Sequence, residues 1–155
     1  MVRARWPTAW AVVDYYRQPK AGYYALQAAM QPVLPSIAAS KPARLERERW
    51  VYAEAADFQA ALWIVNDTSD AYPQAELRWR VEGSGGDPVK DGVAVVNVPS
   101  DGVRWAAALR NLDLPPGAYG VQVELHDAQG RELGWNGFAF AIEPPEEEKE
   151  EAAEK

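Results

Sequence analysis

Cysteine is absent from the 155-residue chain, which rules out disulfides, thiolate chemistry and cysteine-type zinc sites together. Histidine is nearly absent: His126 is the only one. Nucleophilic catalysis of the Ser-His or Cys-His kind needs a base beside the nucleophile, and a histidine metal cluster needs companions, so neither has material here. His126 is read as an ordinary exposed residue on the polar side of a strand. No run approaches the roughly 18 apolar residues of a membrane helix, which argues against a membrane partner. Basic residues are scattered singly rather than gathered into a stripe, which argues against nucleic acid. No cofactor is implied. The start, Met1-Val2-Arg3-Ala4-Arg5-Trp6-Pro7, is followed by Asp14, Tyr15, Tyr16 and Arg17 rather than by an apolar stretch and a cleavage site. No secretion signal is visible there, and a soluble, cytoplasmic protein is expected.

Acidity is concentrated at one end. Of the net charge of −7, Pro144 to Lys155 supplies −4 through six glutamates and two lysines. Such a charge run is expected to be a disordered, solvated tail over 144–155. Residues 1–39 are different in kind, rich in aromatics and alanine. Trp6, Trp10, Val12, Val13, Tyr15 and Tyr16 crowd apolar bulk into a short stretch. Pro19 suits a first helical position, and Tyr23, Leu26, Ala29 and Met30 then fall on one helical face until Pro32 and Pro35 stop it. So much grease on so short a segment demands a larger surface to cover it. Trp10, Tyr15, Tyr16, Tyr23, Tyr24, Leu26 and Met30 are therefore the candidate domain-interface residues.

From residue 40 to 143 the pattern changes to strands and turns. Ala75-Glu76-Leu77-Arg78-Trp79-Arg80-Val81 alternates apolar and charged without a fault, as a half-buried strand does. The same period recurs in 103–109 and 119–125, and Phe138, Phe140 and Ile142 form another inward row. Runs around 50–58, 61–65 and 92–98 bring the number of strands to seven. Their separators carry turn residues, among them Gly83-Ser84-Gly85-Gly86-Asp87-Pro88 and the hairpin signal Asp127-Ala128-Gln129-Gly130. Short strands at this spacing with no helix between them predict a mainly β fold, a seven-stranded immunoglobulin-like antiparallel β-sandwich.

Catalytic chemistry finds little support in these residues. Asp57, Asp67, Asp70 and Asp127 sit in or beside turns, where backbone hydrogen bonding explains them. The glycine-rich stretch 83–86 has no helix after it to bind phosphate. Tryptophan is the remaining signal, with seven in the chain. A flat indole on a β-face can bind a sugar through the C–H face of the ring, or it can fill a core. Trp79 and Trp105 alternate with arginine and are expected to point inward. Trp135, beside Asn136-Gly137, is the better candidate for substrate contact, and Trp63 is a second.

The run Trp6-Pro7-Thr8-Ala9-Trp10-Ala11-Val12-Val13-Asp14-Tyr15-Tyr16-Arg17-Gln18-Pro19-Lys20-Ala21-Gly22-Tyr23-Tyr24-Ala25-Leu26, continuing to Met30-Gln31-Pro32-Val33-Leu34, resembles the end of the catalytic barrel in β-mannosidase-like glycoside hydrolases of family two. In that family a Trp-Pro closes the last barrel strand, a Trp-x-x-x-Asp-Tyr-Tyr-x-x-Pro-Lys segment comes next, and a Tyr-Tyr-Ala helix leads to a Pro-Val exit. The strand Leu62-Trp63-Ile64-Val65-Asn66-Asp67 is similar to the Val-Val-Asn-Asp run of the β-sandwich after the barrel, and Leu125 to Arg131 with Asn136 and 138–140 resembles its closing hairpin. Two departures stand out. Ala4-Arg5 replaces the family's Asn-Asp, and the stretch from Pro7 to Trp10 is about one residue shorter.

The resemblance implies three parts: 1–39 as a remnant of a (β/α)8 barrel, 40–143 as the sandwich, and 144–155 as the tail. It implies Trp6 as a residue lining a sugar subsite. The acid and nucleophile glutamates of such barrels lie on earlier strands, which this chain does not contain, so no residue here is expected to be catalytic. The function implied is a non-catalytic accessory domain partnered with the barrel of the parent enzyme, with self-association through residues 1–39 when that partner is missing. A stand-alone module binding β-mannosides or related glycans through Trp135 or Trp63 is the alternative.

Overall fold

A computed structural model describes Val13 and residues 16–46 and 49–144. The chain divides into two compact units, Met1–Gln31 and Pro32–Lys155. In the first, Val13 and Pro19 form an antiparallel bridge, and helix α1 runs over Ala21–Ala29. Lys20 caps it, so Pro19 stands just outside the helix rather than at its first position. Met30 closes the last turn by donating its amide to the Leu26 carbonyl. Among the interface candidates, Trp10 and Tyr15 lie outside the described residues, as do Trp6 and residues 145–155 of the acidic tail.

The second unit is a β-sandwich of nine strands: β1 (Val33–Ala39), β2 (Arg44–Glu46), β3 (Arg49–Tyr52), β4 (Ala60–Asn66), β5 (Tyr72–Gly83), β6 (Pro88–Val98), β7 (Gly102–Leu109), β8 (Gly117–His126) and β9 (Glu132–Ile142). One sheet has the order β1-β4-β7 and the other β2-β3-β9-β8-β5-β6. With β1 taken as strand A, this sets A, B and E of an immunoglobulin-like sandwich against G, F, C and C′. The hydroxyl of Tyr119, near the start of β8, donates to the Pro115 carbonyl at 2.6 Å, the tyrosine corner of such folds.

Several details differ from the sequence reading. Among the described residues nine strands are present rather than seven. Val33–Ala39, expected to belong with the segment before it, is an edge strand that pairs along its whole length with β4, so the sandwich unit begins at Pro32 instead of residue 40. The expected strand over 50–58 ends at Tyr52 and gives way to a 3-10 turn, Ala55–Asp57, bracketed by Glu54 and Asp57. The sheets are also not wholly antiparallel, because β3 runs parallel to β9.

The core is where the period of two placed it. Ala75, Leu77 and Val81 of β5 and Tyr119, Val121, Val123 and Leu125 of β8 are buried. Phe140 stacks on Phe58 with ring centroids 4.1 Å apart, and Tyr52 meets Phe58 edge-on at 5.3 Å. Ring pairs in these geometries stabilise a core beyond the area they bury.

Candidate functional site

Two outward faces remain once the core is accounted for, and they differ in character. On β4, Ala60, Leu62, Ile64 and Asn66 point in, leaving Ala61, Trp63 and Val65 outside. Register places Ser36 and Trp105 beside Trp63, Leu34 and Val103 beside Val65, and Ala38 and Ala108 beside Ala61. Apart from Ser36, the outer face of the three-stranded sheet is apolar. Trp63 is 39% exposed and Trp105 50% exposed.

Trp105 was expected to face the core, and it does not. The β4–β7 ladder slips between Leu62 and Trp63, so that Ala106 has no partner of its own. Such a bulge inserts one residue and reverses the facing of the residues beyond it. Ala106, Ala107 and Leu109 pack on the core while Trp105 stays outside. Trp79 does turn inward as expected, lying so close over Gly92 that a Cβ there would fall 2.6 Å from the indole.

The outer face of the six-stranded sheet is mixed, with Glu76, Arg78, Arg80 and Glu82 of β5 flanked by exposed Val93 and Val95 of β6, and a groove crosses β8 and β9. Its volume is about 580 Å³, and Trp135, 45% exposed, forms an aromatic wall, while Phe138, which also borders it, packs on the core. Register sets Glu124 beside Trp135, Gln122 beside Gly137 and Gly120 beside Ala139. The trough is therefore deepest where side chains are missing. Gly137 is required, because a Cβ at that position would lie 2.7 Å from the Val121 carbonyl oxygen.

Polar groups beside the groove are fixed by one another. Arg80 donates to Gln122 Oε1 at 2.7 Å, and Gln122 Nε2 donates to Glu82 Oε2 at 3.0 Å. Arg80 Nε reaches the other Glu82 oxygen at 2.8 Å and its Nη2 stands 4.0 Å from Glu124. Asn136 faces the other way: its Nδ2 donates to the Pro35 carbonyl at 3.0 Å, tying β9 to β1 of the opposite sheet.

Tyr16, Tyr23, Tyr24, Leu26 and Met30, the interface candidates described in the first unit, are exposed, Tyr16 by 78% and Met30 by 72%. His126 is half-buried rather than exposed, and its Nδ1 has no hydrogen-bond partner among the described residues. Asp127 is a turn residue, its carboxylate accepting from the amides of Gln129 and Arg131 and from Arg131 Nε. Those bonds, the Arg131 amide foremost, hold its pKa below the ordinary carboxylate value. Among the described residues no group of three or more His, Asp and Glu side chains is placed to hold a metal ion.

The sequence matches no family model, and no curated protein matches it. Solved structures do match. The chain superposes on the Amycolatopsis orientalis exo-chitosanase CsxA with a TM-score of 0.63 at 16% identity, covering 87% of this chain and 14% of that one. A complex of the same enzyme, described as an exo-β-D-glucosaminidase with an amino-australine analogue, gives a TM-score of 0.62 over 85% of this chain. The shared property is the fold. The chain thus spans about a seventh of the length of the sugar-cleaving enzyme it superposes on.

Proposed function

We propose that this chain is a non-catalytic accessory domain of a β-mannosidase-like glycoside hydrolase, and that it packs against and stabilises the catalytic barrel. The observation that carries the reading is the apolar outer face of β1-β4-β7, where Trp63 and Trp105 stand exposed side by side. Covering the exposed parts of Trp63 and Trp105 alone would remove on the order of 200 Å² from water, worth on the order of 5 kcal/mol. Such a face is what a domain interface needs and what an isolated domain avoids.

The first unit supports the same reading. A helix of nine residues is too short to hold itself together in water, and α1 exposes Tyr23, Tyr24 and Leu26, with Met30 exposed at its end. A partner surface for those side chains resolves both problems, and the resemblance of 6–34 to the end of a barrel names the partner. The fold shared with part of an exo-chitosanase fits an origin in a glycoside hydrolase. Catalysis is assigned to the barrel, so the isolated chain should leave aryl β-mannosides and aryl β-glucosaminides uncleaved.

Light scattering tests the packing role. The chain should associate as concentration rises, and Trp63→Ser with Trp105→Ser should shift it toward monomer while circular dichroism stays unchanged. A wild-type chain that remains a monodisperse monomer at high concentration would sink the proposal.

A further inference from the structure

We propose that the groove on β8 and β9 is a glycan-binding site selective for neutral or amino-bearing pyranosides over acidic ones, with Trp135 as its stacking wall. The site lies on the outer face of the six-stranded sheet, not on that of β1-β4-β7, and does not depend on the accessory-domain reading.

The outward rungs of the two strands run Gly120 with Ala139, Gln122 with Gly137, and Glu124 with Trp135. Alternate residues on a strand are about 6.8 Å apart, so these three rungs make a trough roughly 13–14 Å long, which suits a short oligosaccharide. Its floor is close to bare backbone, and Gly137 can be nothing larger because the Val121 carbonyl oxygen occupies the space. A ring lying on that floor meets the Trp135 indole at one end. Pyranose C–H groups can pack on the π face of that ring, which stands 45% exposed at the end of the trough.

Hydroxyl recognition needs polar groups that are already oriented. Gln122 is held by Arg80 on its oxygen and by Glu82 on its nitrogen, which leaves the amide one further hydrogen and one lone pair by valence. A donor and an acceptor on one fixed amide match a sugar's hydroxyls, and the fixation lowers the entropy lost on binding.

Charge sets the selectivity. The groove is lined by two carboxylates, Glu124 and Glu132, and by no lysine or arginine among the described residues. The neighbouring guanidinium, Arg80, is bonded to Glu82 and only 4.0 Å from Glu124, so it offsets that carboxylate without reversing the sign. A uronate or sulfated sugar would be repelled, a neutral one tolerated and an ammonium sugar attracted.

Isothermal titration calorimetry of the whole chain against glucosamine trisaccharide, mannotriose and trigalacturonate tests this. Saturable binding of the first two with Kd on the order of 1 mM or tighter, the amino sugar tighter, is the expected result. Trp135→Ala should weaken it about tenfold or more. Ala139→Gln, which fills the trough from an outward-facing position, should do the same. Heats that stay flat for every sugar into the tens of millimolar overturn the proposal. So does affinity retained in either variant, or trigalacturonate bound as tightly as the amino sugar.

Discussion

Asn66 is fully buried, yet each end of its amide is used. Its Nδ2 donates to the carbonyls of Asp70 and Pro99, both at 2.8 Å, and its Oδ1 accepts from the Thr68 amide at 3.0 Å and the Thr68 hydroxyl at 2.8 Å. One side chain thereby joins the β4–β5 loop to the β6–β7 turn. Asn66→Leu keeps the branched shape but removes all four of these bonds, leaving the Pro99 carbonyl and the Thr68 amide without them, which should cost about 3 kcal/mol. Urea unfolding would register this as a lower midpoint at unchanged slope. A loss under about 0.5 kcal/mol, within the range of an ordinary surface substitution, would mean the loops are held by something else. The dipeptide Asn66-Asp67 stands out in the sequence, but its role as a hub depends on Pro99, far along the chain. Asp127 is the opposite case, since its partners Gln129 and Arg131 are local and the hairpin could be read directly.

Strands β5, β8 and β9 carry their facing in plain alternation, and the buried rows found there are the expected ones. In β7 the same rule fails after Trp105, because Ala106-Ala107-Ala108 gives no contrast between inside and outside, and nothing in it announces a bulge. Strand β1 escapes the sequence reading for a related reason. Val33-Leu34-Pro35-Ser36 comes after a helix and contains a proline, which demotes a strand to an edge. An edge it is, paired on one side only. Within β9, Gly137 is fixed by the close approach of β8. Gly137→Ala should destabilise by about 1–3 kcal/mol through the clash with the Val121 carbonyl, with thermal unfolding as the readout. Gly120→Ala serves as the contrast, since a Cβ there meets no heavy atom within 4 Å. Equal effects at the two positions would contradict the geometry.

Taken as a whole, the sandwich should lose stability at both ends of the pH scale. Burial raises the pKa of Tyr52 and of Tyr119 above the ordinary value of 10.0, so their contribution is intact below pH 10 and is lost as pH climbs through the folded values. The bonds to Asp127 lower its pKa from 3.8, so its contribution is present above that pH and is lost as pH falls through the folded value. Tyr119→Phe should flatten the alkaline limb and Asp127→Asn the acid limb of a stability profile from chemical denaturation. Limbs that keep their wild-type slope in both variants would assign the pH dependence to other groups.

Much of this architecture is local, and so it could be read from residues in a row. Period-two alternation marks strands, and turn residues separate them. What required the folded molecule is whatever depends on register between distant segments: the outward turn of Trp105, the membership of β1, and the hub at Asn66. The groove belongs with these. Trp135 could be singled out on its own, but its floor is made by Gly120 and Gly137, which become neighbours only when β8 and β9 pair. Alternation tells which side of its own strand a residue takes. Only the pairing of strands decides what lies beside it.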